Sequence, residues 1–379
     1  MALFGLVGVG RSKGSHTMTG QHRIVVLGAG YAGLAAARRL ARKARGAEIT
    51  VVDPRKHFVE RVRLHQQAAG QRISAWDIRE LLARKEIGFV RARATSIDPA
   101  GKRVLLDTGT ELGYDTLVYA LGSVADLDGV PGVAEHAYSV ATPEDADRFV
   151  APDGTVVVVG GGSTGIELAA ELGESRPEVR VLLLGSEAPG AWLSPRAQAH
   201  IRRVLEQLGV EIRSDAKVIE VTEQGVRLAD GTLLEAAATV WTAGFRVPDL
   251  AQRSGIAVDG MGRVHTDATL RSISHPEIYA AGDCAVMAGP GDRALRMACA
   301  TALPAGRQVA DAIAARLRGA QPRPLRFRYV GQAMSLGRRN GIIQSLHADD
   351  SPAGFILTGR TAAWVKERVV RGAARQTRP

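Results

Sequence analysis

Aromatic side chains are scarce in this sequence. Phe, Tyr and Trp make up 4% of the 379 residues, against 45% for all hydrophobic types, so the cores must be aliphatic and rich in alanine. Cysteine is scarcer still. Cys284 and Cys299 are the two present, and their spacing fits neither a Cys-x-x-Cys motif nor a zinc pattern. That excludes a disulfide framework, makes a metal site unexpected, and agrees with a reducing cytoplasm. No apolar run reaches the roughly 18–20 residues that span a bilayer. Residues 1–10 are mildly apolar but lack a basic leader and a cleavage site, which makes a poor signal peptide. Residues 1–20 read as a disordered N-terminal segment. Acidic charge is in deficit: 49 Lys and Arg face 39 Asp and Glu, a formal net charge of +10. This balance favours anionic partners, among them nucleotide cofactors and anionic lipid surfaces. No helix-turn-helix, zinc finger or aromatic-studded basic groove accompanies it, so nucleic acid is not an expected partner.

What is present is organised around residues 23–53. Ile24, Val25, Val26 and Leu27 form an unbroken apolar run, as in a parallel strand buried on both faces. Gly28, Gly30 and Gly33 follow at the G-x-G-x-x-G spacing and open a helix. Gly28 permits the tight turn, Gly30 lets a pyrophosphate approach the backbone, and Gly33 lets the helix pack on the strand. The helix N-terminus adds free N–H groups. A second apolar run, residues 49–52, ends on Asp53, where a carboxylate can accept bonds from ribose hydroxyls.

The pattern then returns. Residues 155–159 are another β-branched run, and Gly160, Gly162 and Gly165 repeat the spacing, followed by Glu167 and a second run at 179–184. Two such βαβ units imply two bound nucleotides and electrons handed between them. At the second strand's end stands Gly185, with Glu187 two residues on. Glu187 can reach a ribose and no Arg follows at once to hold a 2′-phosphate, which slightly favours NADH over NADPH. Thr242-Ala-Gly244-Phe echoes Ala120-Leu-Gly122-Ser, a strand ending in small residues. Residues 277–285 read as a buried strand ending in Ala281-Gly282-Asp283; Asp283 suits a cofactor hydroxyl or phosphate-side contact, or else caps the next helix.

The remaining stretches frame these units. Residues 54–66, dense in Arg and His, face a cofactor's phosphates or a substrate entrance, or form a solvated charged face. Residues 73–85 look helical, and strands are expected at 88–97, 103–106 and 114–121. Residues 123–139 read as linker, and Thr142 caps a helix with Pro143 at its first position. A helix over 195–208 precedes strands at 210–213, 216–221, 225–228 and 238–242. Thr301 reads as the N-cap of a helix reaching about residue 316, with Pro304 in its first turn. Strands at 326–334 and 340–345 flank a basic turn. A final helix over 364–370 mixes Trp364, Val365, Val369 and Val370 with Lys366, Arg368 and Arg371. That mixture suits an anionic membrane surface, or docking on its own or a sister subunit.

On these marks (Gly28-Ala-Gly-Tyr-Ala-Gly33 with Asp53, Tyr119-Ala-Leu-Gly-Ser123, Gly160-Gly-Gly-Ser-Thr-Gly-Ile-Glu167, Trp241-Thr-Ala-Gly-Phe245, Ala281-Gly-Asp283, and the run from Tyr329 to Arg338) the chain resembles the two-dinucleotide flavoprotein reductases. Among them it is most similar to the type II NADH dehydrogenases and the apoptosis-inducing-factor-like oxidoreductases, over residues 23 to about 345. The resemblance implies an α/β chain with two Rossmann-like domains, the second inserted in the first, and a small C-terminal α+β region. The FAD-binding domain would be 21–125 with 250–322, the NAD(P)H-binding domain 126–249, and the C-terminal region 323–379.

Carried over by position, Gly28, Gly30, Tyr31, Ala32, Gly33, Asp53, Arg61, Ala94 through its backbone, Gly122, Gly282 and Asp283 would hold FAD, with Ala302 near the ring. A helix N-terminus there would stabilise negative charge on the reduced ring. Gly160, Gly162, Gly165, Glu167, Glu187 and Gly244 would hold NAD(P)H, with Glu167 near the nicotinamide end. The implied reaction moves hydride from NAD(P)H to FAD and then two electrons to an acceptor, a quinone foremost. The alternatives are a ferredoxin- or rubredoxin-type reductase and a nucleotide-sensing flavoprotein with little turnover. No catalytic acid or base is assigned; Glu60 and His65 are the candidates. The disulfide-reductase cysteine pair is absent, so no dithiol relay is available. Residues 346–379 are shorter and less apolar than the family's membrane-binding end, and residues 61–66 depart from its Pro-Leu-Leu-type run. The expected setting is the cytoplasm, with peripheral contact on the inner face of the membrane, and a homodimer as a further expectation.

Overall fold

The computed structural model describes residues 21–377; the expectation for residues 1–20 lies outside them. β1 (Arg23–Leu27) has four consecutive buried residues because helices cover both faces of its sheet. It pairs in parallel with β2 (Glu48–Val52), Val26 opposite Val51, and on its other side with the strand Thr116–Tyr119. Gly88–Val90 and Ile278–Ala280 complete a five-stranded parallel sheet. A second five-stranded parallel sheet is built around β3 (Thr155–Val159) and β4 (Arg180–Leu184), flanked by Ala238–Trp241, Ala137–Ser139 and Glu211–Arg213. All its strands lie within residues 137–241. The chain crosses between the sheets twice, and the two crossings, Val124–Ala125 and Phe245–Arg246, pair antiparallel.

α1 (Tyr31–Lys43) follows the first glycine turn and buries an alanine-rich face. α2 (Leu64–Ala68) is a short helix whose Leu64 and Ala68 join the second sheet's core. α3 (Ser163–Ser175) follows the second glycine turn. α4 (Cys299–Leu317) crosses α1 so closely that a Cβ on Gly306 would lie 2.1 Å from the Ala32 carbonyl oxygen. A three-stranded antiparallel sheet, β5 (Gly331–Ser335), β6 (Gly341–Leu346) and β7 (Pro352–Thr358), then leads into α5 (Gly359–Thr377).

Several expectations change. Residues 73–85 contain a short strand, Trp76–Asp77, before the helix Ile78–Ala83, because the Asp77 carboxylate caps that helix on the Arg79 and Glu80 amides. The run 88–97 splits between two sheets. The expected linker 123–139 includes the helix Val133–His136 and a strand of the second sheet. Thr301 is not a cap: α4 starts two residues earlier, and the Thr301 hydroxyl bonds back to the carbonyls of Arg296 and Ala298. Pro304 therefore sits in the second turn rather than the first. The strand expected from 326 begins at Gly331, β7 was not expected at all, and the last helix extends well beyond 364–370. Thr142 and Pro143 do cap and open their helix, the Thr142 hydroxyl accepting from the Asp145 amide.

Candidate active site

Both glycine turns are built alike. At the first, Gly28 has φ +99° and a Cβ there would lie 2.3 Å from the Ala120 carbonyl; a Cβ on Gly33 would lie 1.8 Å from the Gly28 carbonyl. At the second, a Cβ on Gly165 would lie 1.9 Å from the Gly160 carbonyl, and one on Gly160 2.6 Å from Thr242 Oγ1. These four positions close the turns. Gly30 and Gly162 differ, for nothing among the described residues lies within 4 Å of a Cβ at either. Each precedes the first residue of a thirteen-residue helix, so free N–H groups face open space at both.

Around the first turn, the Asp53 carboxylate accepts the Ala29 amide and the Arg55 amide, both at 2.8 Å. It braces the turn and keeps lone pairs for a ribose. Gly122 follows directly on the Ala120–Leu121 backbone against which Gly28 is pressed. Asp283 caps no helix; the strand Ala285–Val286 follows it. Its Oδ2 accepts the Ser123 hydroxyl at 2.7 Å and lies 4.0 Å from Arg61, which donates to the Ser123 carbonyl at 2.5 Å and stacks over Phe245. Gly282 stands between Ala32 and Ala302, a Cβ there reaching 3.2 Å and 3.8 Å from theirs. The N-terminal ends of α1 and α4 thus converge. Tyr31, the first residue of α1, packs edge-on against Phe58. Ala94 lies on a separate antiparallel sheet, paired with Leu106. Arg61 Nη2 and Arg55 Nε are buried with no hydrogen-bond partner among the described residues. Two spare guanidinium donors beside an open glycine turn fit an anionic, pyrophosphate-bearing cofactor.

Around the second turn, Gly244 (φ +83°) packs on Asp126 and the Asp126 amide donates to its carbonyl. Glu187 is exposed, with its backbone carbonyl folded under Gly185 and Gly161.

Glu167 occupies a different setting. It lies on α3 with 8% exposure, and its Oε1 accepts the Ser335 amide at 2.9 Å, the Ser335 hydroxyl at 3.0 Å and the Lys366 ammonium. His65 Nδ1 is 3.9 Å from its Oε2, and His65 Nε2 is 3.3 Å from the Ser335 hydroxyl. Burial raises the Glu167 pKa, but the Lys366 ammonium, helped by the Ser335 amide, outweighs it and holds the carboxyl below its ordinary value. Burial drives the His65 pKa down to about 4 against the pull of Glu167, so this imidazole is neutral at pH 7. Of the two acid–base candidates, Glu60 is tied to Arg63 at 2.9 Å, whereas His65 faces Glu167. Sequence reasoning missed Ser335 and Lys366. It also missed Gln332, whose side-chain amide donates to Ser163 Oγ at the second turn and accepts from Arg296 just before α4. Gln332 and Ser335 lie in the run from Tyr329 to Arg338 that carried part of the resemblance, which was the signal available.

A family model described as pyridine nucleotide-disulphide oxidoreductase matches residues 22–311. An NADH dehydrogenase-like protein of Mycobacterium tuberculosis is 34% identical over 315 residues, covering 75% of this chain and 78% of its own. A type II NADH:quinone oxidoreductase of Staphylococcus epidermidis is 30% identical over 383 residues, covering 91% and 93%. Among solved structures, the sulfide:quinone oxidoreductase of Aquifex aeolicus shares the fold with a TM-score of 0.80 at 20% identity, covering 94% of this chain and 91% of that one.

Proposed function

The chain belongs to the pyridine nucleotide-disulphide oxidoreductase family, and from that premise we propose an FAD-dependent NADH dehydrogenase that delivers two electrons to a quinone. A bound FAD would supply the hydride acceptor for the nicotinamide and the electron donor for the quinone. The first glycine turn, with Asp53, Arg61, Gly122, Gly282 and Asp283, holds FAD; Tyr31, Ala32 and Ala302 line the approach to its ring, and Ala94 offers backbone. The second turn, with Glu187 and Gly244, holds NADH. The division into 21–125 with 250–322, 126–249 and 323–379 follows from the same reading. The observation that carries it is the pair of open glycines, Gly30 and Gly162, each ahead of a helix N-terminus in its own parallel sheet.

This chain's residues bind and orient. The free N–H groups at the start of α1 and α3 would hold anionic pyrophosphates. Glu167, held ionised by Lys366, presents a buried ion pair near the nicotinamide end, and the neutral His65 beside it adds no further charge. At the surface, Phe355, Trp364 and Val369 are 63%, 59% and 57% exposed, and Arg368 stacks over Trp364. Such a face suits peripheral contact with an anionic membrane; a second copy of the chain is the competing occupant. No helix among the described residues is long and apolar enough to cross a membrane.

The test is steady-state NADH oxidation by the FAD-loaded protein with a soluble quinone. Sustained turnover supports the reading. Turnover only with an added iron–sulfur protein assigns a ferredoxin-type reductase instead, and a flavin that NADH does not reduce rejects both. Flotation with anionic vesicles, beside the oligomeric state in solution, decides what covers the exposed face.

A further inference from the structure

A cleft of about 450 Å³ separates the segment after α2 from α5 and the β5–β6 turn. Five arginines line it, Arg63, Arg72, Arg338, Arg371 and Arg375, against two glutamates. Both carboxylates are already engaged. Glu60 holds Arg63, and Glu367 holds Arg63 through a bidentate pair at 2.7 and 3.0 Å, Arg371 at 2.7 Å and Arg338 at 3.5 Å. Burial works against ionising Glu367, but Arg63 and Arg371 outweigh it and draw its pKa down to about 2. With the buried Glu171, which holds Arg338 at 3.3 Å, three carboxylates fix three of the guanidinium groups, and the other two arginines leave the cleft net positive. Arg72 and Arg375 make no ion pair among the described residues.

We propose that this cleft is a binding site for a small polyanion of the phosphate or pyrophosphate class, separate from the two glycine turns. A set of pre-positioned guanidinium groups with a net charge excess, in a partly enclosed cleft, recognises phosphate oxygens through paired N–H donors. Arg63, Arg338 and Arg371 are held in place by Glu367 and supply the rigid wall, while Arg72 and Arg375 close over the anion. The site borders the buried cluster: Gln66 follows His65 on α2, and Glu367 follows Lys366 on α5. An anion bound there clamps α5 onto α2. Its source is either a free phosphate compound or the headgroup of an anionic lipid.

The experiment uses the FAD-loaded protein and inorganic pyrophosphate, titrated calorimetrically at constant ionic strength with NAD⁺ saturating, so that the second glycine turn is filled. The variant R72A/R375A removes two side chains that hold no ion pair, which spares the fold. One site per chain, weakened roughly tenfold in the variant, is the expected result. No heat of binding in the wild type, binding abolished by NAD⁺, or equal binding by wild type and variant would overturn the proposal. Competition between pyrophosphate and phosphatidylglycerol vesicles, absent with phosphatidylcholine and lost in R72A/R375A, assigns the lipid headgroup. Pyrophosphate binding with vesicle affinity unchanged in the variant assigns a free anion. Either result supports the site.

Discussion

Lys366 reaches inward from α5 and places its ammonium on Glu167 Oε1, across 199 positions of sequence. The two side chains are 12% and 10% exposed. The last helix therefore completes the surroundings of a carboxylate carried by the helix of the second glycine turn.

Removing one partner of this pair leaves a buried charge uncompensated. Lys366→Met is expected to destabilise the protein by about 3–5 kcal/mol and to raise the Glu167 pKa. The double variant K366M/E167Q should recover part of the loss, with a coupling of at least about 1 kcal/mol. Urea denaturation of the four species measures it, and strictly additive effects would show that the contact contributes nothing.

The His65 pKa gives a pH signature. Its ordinary value is 6.5 and burial lowers it to about 4. As pH falls through that window the unfolded chain takes up a proton here and the folded chain does not, so stability drops, by up to roughly 3 kcal/mol. His65→Asn should flatten the stability curve between about pH 4 and 6.5. The depressed carboxyls of Glu167 and Glu367 also lose stability in acid, but below the ordinary Glu value of 4.5, so their slope remains in the variant.

The open and closed glycines separate binding from folding. Gly33→Ala drives a Cβ into the Gly28 carbonyl and should cost about 3 kcal/mol of stability. Gly30→Ala meets nothing within 4 Å, so it should fold normally and lose bound flavin. Flavin absorbance per mole of protein, with thermal melts of both apoproteins, checks the contrast. Gly162→Ala should raise the KM for NADH while leaving flavin content unchanged.

Glu367→Gln weakens the anchor of Arg63, Arg338 and Arg371 together. The expected outcome is faster limited proteolysis within α5, while the two parallel-sheet units survive as large fragments. Cleavage at the wild-type rate would mean that the Lys366–Glu167 pair and apolar packing hold the helix without Glu367.

The sequence exposed what is locally constrained. The two glycine turns were legible because each requirement is met within six residues, and Asp53 because it ends the very next strand. The setting of Glu167 was not, because its partners come from α2, β5 and α5, and nothing in the basic pattern around Lys366 distinguishes an inward-facing lysine from a solvated one. Thr301 misled because a hydroxyl near a helix start satisfies the cap pattern equally well when it bonds back to earlier carbonyls. β7 escaped notice because Pro352 and Gly354 are residue types that strands disfavour.

The antiparallel pairing of Val124–Ala125 with Phe245–Arg246 bears on how the molecule can flex. Two independent tethers would let the inserted unit swing in many directions. Laced side by side, they behave as one flat strap that bends easily only about its thin axis. Arg61 stacks on Phe245 in that strap, so tilting the unit between the two crossings would tug directly on the guanidinium beside Asp283. The paired crossings would thus pass motion of that unit to Arg61, alongside the contacts that α2, β5 and α5 already make with it.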